Sequence, residues 1–70
     1  MLYLAVQSKT ILRIGYSLQN TTLVVYFRNG TSYEYSDVPE NIFRDFTVAA
    51  SKGNFLKNVI ANKYKFKKLS

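Results

Sequence analysis

The chain has no cysteine, no histidine and no tryptophan, and a single proline. Without cysteine no disulfide braces it. Without cysteine or histidine, the usual zinc centres and the familiar nucleophile–base pairs are out of reach. Acids are scarce too: four Asp and Glu stand against ten Lys and Arg, for a net charge of +6. No run of about 18 apolar residues occurs, so no membrane span is expected. Met1–Val6 is apolar but shorter than a signal h-region, and no basic stretch precedes it. These absences leave an expected cytoplasmic domain with no metal, no cofactor and no membrane contact.

What is present is aromatic: six Tyr and five Phe in 70 residues. A chain of this length buries only about 60% of the surface that its unfolded form exposes. Large rings must therefore supply most of the core. Residues 1–70 read as one domain, without repeats, linkers or low-complexity segments.

The charge is unevenly placed. Met1 to Ser51 carries four bases (Lys9, Arg13, Arg28, Arg44) and four acids (Glu34, Asp37, Glu40, Asp45), which cancel. Lys52 to Ser70 carries six lysines and no acid. Such asymmetry marks an end suited to nucleic acid or another anionic surface.

Residues 1–8 have no clean period: they could add a short strand or fray, and partial order is expected there. Residues 10–16 read as a strand with Leu12, Ile14 and Tyr16 on one face. Residues 22–28 are β-branched and aromatic, the strongest strand signal in the chain. The next strand, about 31–36, follows Arg28-Asn29-Gly30, and the turn fixes its register. A two-residue turn would set Leu23, Val25 and Phe27 opposite polar residues. A three-residue loop with Gly30 as the left-handed bulge pairs Val25 with Tyr33 and Leu23 with Tyr35 instead. A one-residue slip swaps faces, so burial selects the bulged form.

Pro39 stops the strand and suits a first helical turn, and Asp37 with Glu40 has capping-box spacing, which assigns Asp37 to a cap. Helices are expected at about 39–50 and 54–61, with Ile42, Phe43 and Phe46, then Phe55, Leu56, Val59 and Ile60, facing inward. Residues 63–68 alternate aromatic and lysine, as in a last strand at a sheet edge. The expected fold is α+β: a three-stranded antiparallel meander, two helices and a short C-terminal strand.

In this order the residues resemble the KTSC domain, a module named for its place at the C-terminus of some lysyl-tRNA synthetases. The resemblance covers about residues 8–69. It rests on Ile14-Gly15-Tyr16, Leu23-x-Val25-x-Phe27, Asn29-Gly30-x-x-Tyr33-x-Tyr35, Val38-Pro39, Ala50-Ser51-x-Gly53-x-Phe55 and Ile60-x-x-x-Tyr64-x-Phe66. Phe66 stands where the family often has Tyr. The resemblance implies a small accessory domain with a suggested RNA-binding role and brings no catalytic residues.

The residues themselves offer no catalytic set. Glu34 falls on an exposed strand face, Glu40 and Asp45 on a helix's polar side, and no phosphate-cradling glycine loop occurs. Two binding readings stand. In one, RNA or single-stranded nucleic acid lies along Lys63, Lys65, Lys67 and Lys68, with Lys52 and Lys57 nearby in sequence, and Arg28 and Tyr26 contribute from outside. Tyr26 is the stacking candidate. Tyr64 and Phe66 are expected to pack into the core, as are Tyr33 and Tyr35, so Gly30, Tyr33, Tyr35 and Pro39 are structural. In the other reading, a protein partner docks on an edge strand or on the Val24/Tyr26 face, with no nucleic acid involved. Lysines on an edge strand also have a purely protective use, since they block strand-to-strand aggregation.

Overall fold

The computed structural model describes residues 1–70 throughout. Five strands form one antiparallel sheet in chain order: β1 (Leu2–Ala5), β2 (Ile11–Ser17), β3 (Thr22–Phe27), β4 (Ser32–Tyr35) and β5 (Phe66–Lys68). Between β4 and β5 the chain crosses one face as α1 (Glu40–Val48) and α2 (Lys52–Phe55), the latter running directly into a π-helical turn, Leu56–Ile60. The α+β class and the central meander are as the sequence predicts.

The β3–β4 hairpin has the bulged register: Leu23 opposes Tyr35, and Val25 opposes Tyr33. Gly30 takes φ +93°, its N–H donating to Phe27 O, while the Phe27 N–H donates to Thr31 O. Leu23, Val25 and Tyr35 consequently face the helices and are buried. Tyr16 stacks on Phe43 of α1 at 4.4 Å, and Phe46 on Phe55 at 5.6 Å, so aromatic pairs join sheet to helix and helix to helix. The Tyr16 hydroxyl donates to Val38 O. Burial first, and then the Glu40 charge, pushes its pKa up.

Five local expectations need correction. Residues 1–8 are not merely part-ordered, because Leu2–Ala5 pair with Arg13–Tyr16 as an edge strand. Leu12 does not join Ile14 and Tyr16: the β2–β3 register shifts between Ile11 and Arg13, which sends Ile11 into the core and leaves Leu12 46% exposed. One extra residue in a ladder exchanges the faces on either side of it. Asp37 is not a cap. It has φ +58°, and Pro39 is the N-cap residue of α1, with no side-chain cap bond. The residue before a proline is kept from helical angles, so the helix cannot begin at Val38. Val38 is buried instead and donates its N–H to Thr21 O.

The fourth correction concerns length. The last strand covers three residues rather than 63–68, since Lys63 and Tyr64 still bond to Ile60 O in the turn that ends the π segment. The fifth concerns Phe66, which is 57% exposed. Its register opposite Tyr35 puts it on the helix-bearing side. The helix layer leaves that edge largely uncovered, and the ring lies against those of Tyr33 and Tyr35, at 5.7 and 5.8 Å.

Candidate nucleic-acid interface

The lysines named from the sequence gather at the β5 edge but not on one face. Lys67 opposes Glu34 and points to the bare face of the sheet, away from the helices. Lys68 opposes Tyr33 and takes the helix-bearing side with Phe66. Lys65 lies just before the strand, its carbonyl accepting from Ser36 N–H, and Lys63 sits in the turn with its ammonium 5.8 Å from the Tyr64 ring. All four are exposed, and none forms an ion pair; the one salt bridge in the molecule joins Arg44 to Glu40. Lys57 is exposed too, in the π turn, and so belongs to the helix layer. Around exposed Phe66, the edge is thus a cationic track with a ring in its middle.

Arg28 and Tyr26 lie elsewhere. Arg28 Nε donates to Ser8 O at 2.9 Å, which ties the β3–β4 turn to the β1–β2 loop. Tyr26, two strands from β5, is partly buried in a stack on the bare face. Arg13 lies over it at 4.4 Å and over Tyr3 at 5.3 Å, and the two tyrosine rings are 6.3 Å apart. Burial first, then the neighbouring Tyr3 hydroxyl, raises the Tyr26 pKa against the pull of Arg13. A ring already covered by a guanidinium has little face left for a base. Val24 beside it is 4% exposed, so the Val24/Tyr26 surface is largely closed.

Lys9 acquires a role in this geometry that its sequence position did not suggest, and it is joined by Lys52, whose ammonium donates to Ala49 O. Two open hollows at one end of the sheet, of about 530 and 570 Å³, share Lys9 and Thr10. One also takes in Ser51, Lys52 and Asn54, and the other Arg28 and Asn29. The end of the chain reaches the same region, where Ser70 Oγ lies 3.4 Å from Gly30 O. The basic track along β5 therefore continues past Lys68 and the Gly30 turn to Arg28, Lys9 and Lys52. No acid lies in residues 7–10, 28–31 or 50–54, an absence visible in the sequence once these loops are known to meet. No three carboxylates converge anywhere, and no helix is long and apolar enough to cross a membrane.

The sequence model of the KTSC domain matches residues 7–64. The chain belongs to the KTSC domain family. A KTSC domain protein from Yersinia pestis, known from its crystal structure, superposes with a TM-score of 0.90 at 38% identity, covering 99% of this chain and 97% of that one. A lysine–tRNA ligase of Nostoc punctiforme is 34% identical over 64 residues, which are 91% of this chain and 11% of the ligase. This KTSC domain thus spans about a tenth of that enzyme's length. A Tsukamurella paurometabola protein is 30% identical over 60 residues, 86% of this chain and 90% of its own. The KTSC fold therefore occurs both as a small protein and as part of a much larger one.

Proposed function

We propose that this KTSC domain is a non-catalytic binder of RNA or other single-stranded nucleic acid, held along the β5 edge. The observation that carries the reading is exposed Phe66 set among Lys63, Lys65, Lys67 and Lys68, none of which forms a salt bridge, although Glu34 stands opposite Lys67. Single-strand binders combine a cationic path for phosphates with a ring on which a base stacks. Arg28, Lys9 and Lys52 extend the path around the sheet end, while Tyr26 drops to a supporting part inside the fold. The ligase relative adds a second, weaker support, because a protein named for acting on tRNA carries a domain of this family.

The test is fluorescence anisotropy with labelled single-stranded and duplex RNA at 50 and 200 mM salt. About four phosphate contacts to a single strand give a salt slope near −3, hence a roughly 50-fold loss of affinity over that range. Substituting Lys63, Lys65, Lys67 and Lys68 together by Ser abolishes most binding at low salt, and Phe66→Ser weakens single strands more than duplex. Absence of binding at 50 mM salt would sink the proposal. Unchanged binding by the quadruple variant would move the site to the Lys9–Arg28–Lys52 end.

A further inference from the structure

We propose that β1 is a docking edge for a second copy of this chain, which pairs with it antiparallel through its own β1. β1 bonds to β2 on one side only. The Val6 N–H donates to Leu12 O and continues the β1–β2 ladder, in which Leu4 opposes Ile14 and Leu2 opposes Tyr16. In an antiparallel ladder alternate residues turn their backbone groups inward. Leu2, Leu4 and Val6 therefore bond to β2, whereas Tyr3 and Ala5 present N–H and C=O groups to open solvent.

The side chains do nothing to guard that edge. Met1, Leu2, Tyr3 and Leu4 are 59, 55, 50 and 36% exposed, Leu2 and Leu4 on the helix-bearing side and Tyr3 on the bare side. Met1–Val6 contains no charged side chain and no proline, and edges that must stay single carry lysine, proline or a bulge. Alongside β1 lies a hollow of about 450 Å³, lined by Met1, Leu2, Tyr16, Leu18 and Phe43 with Glu40 and Arg44 at its rim. A neighbouring strand's leucines are the kind of group that fills it.

Backbone phase restricts the pairing. Outward groups on Tyr3 and Ala5 meet outward groups of the partner only in registers such as Tyr3 opposite the partner's Tyr3. Leu2 then opposes the partner's Leu4 beside the hollow. The two-fold axis stands perpendicular to the sheet, so both helix layers lie on one side of a sheet of ten strands, five from each copy.

Charge explains why a second copy is tolerated at +6. The excess lysines lie toward the opposite edge, and strands about 4.8 Å apart put the two β5 edges roughly 43 Å from each other. That is several times the screening length of about 8 Å at physiological salt. Area sets the strength. A four-residue ladder with its side chains offers less than the roughly 800 Å² per partner of a standard interface. The dimer is accordingly weak, with a dissociation constant on the order of 10 μM to 1 mM.

The test is sedimentation velocity from about 10 μM to 2 mM, with amide spectra over the same range. The expected result is a monomer–dimer equilibrium, with concentration-dependent shifts and hydrogen-exchange protection at Tyr3 and Ala5 but not at Ile60 in the core. Ala5→Pro removes an outward donor while sparing the inward ladder, and should leave a monomer of unchanged helix content at every concentration. Leu2→Lys should raise the dissociation constant tenfold or more, and it stands in if the proline variant fails to fold. A wild-type chain that stays monomeric at 2 mM overturns the proposal. So does a dimer that persists in both variants, since it must use another surface.

Discussion

The sheet has two edges, and they have been built to opposite rules. β5 is short, carries lysine on both faces and keeps one exposed ring between those charges. β1 is uncharged and apolar on both faces, and it borders an apolar hollow. An edge lined with lysine resists another strand and welcomes phosphate. An edge like β1 has the reverse character: its side chains offer no charge to an anion, and the outward backbone groups of Tyr3 and Ala5 are ready for a ladder. Both edges belong to one hydrogen-bonded sheet, so side-chain chemistry rather than backbone shape separates the partners proposed for them.

Making the two edges alike should have the largest effect. Replacing Lys65, Lys67 and Lys68 by Thr, Val and Thr gives every copy two sticky edges, and pairing at both yields an open-ended sheet. Soluble protein after a day at about 500 μM should fall more than tenfold by centrifugation, against little loss for the unaltered chain. A variant that stays soluble would deny the lysines their protective role. Next comes Gly30→Val, which loads a β-branched side chain onto φ +93°. The hairpin that carries β5 should lose roughly 1–2 kcal/mol, a drop in Tm of roughly 5–15 °C by differential scanning calorimetry.

Gly15→Val tests the other edge more gently. A Cβ at Gly15 would sit 2.9 Å from a Tyr3 ring carbon and 3.0 Å from Met1 Sδ. Since the obstacle is a ring that can swing aside, about 1 kcal/mol is lost. The damage should appear as faster amide exchange in β1 with β3–β5 little changed. Smallest near neutrality is the effect of pH. Tyr16 and Tyr35 have pKa values raised chiefly by burial, so the folded state holds protons that the unfolded chain releases from about pH 10 upward. Their contribution is intact below that pH and is lost above it. Urea midpoints should stay flat from pH 7 to 9 and fall between 10 and 12, less steeply in Tyr16→Phe.

How legible these edges were in the sequence differs between them. The Gly30 turn offered two registers with opposite burial, and only one buried Leu23, Val25 and Tyr35, so the hairpin could be argued without coordinates. Helix positions were readable from Ile42, Phe43, Phe46, Leu56 and Ile60 for the same reason. β1 was not, because a strand exposed on both faces has no burial pattern to impose alternation, and Met1–Val6 is simply apolar. Leu12 was misplaced because a bulge changes phase without any glycine or proline to announce it. The lysines of β5 were plain in composition. The exposure of Phe66 was hidden, because aromatic–lysine alternation looks the same whether or not a helix covers the ring. Lys9, Arg28 and Lys52 meet only through three separate loops, and no local pattern reports that.

Strand order that follows chain order has a consequence for how such a domain is wired into a larger polypeptide. A segment joined ahead of Leu2 emerges beside β1, while a segment joined after Ser70 emerges beside β5, about 19 Å away across the sheet. A tether at the front therefore crowds the apolar edge and leaves the basic one facing outward, and a tether at the back does the opposite. On the two bindings proposed above, the attachment point itself decides which edge stays open, a choice made once, when the genes are joined.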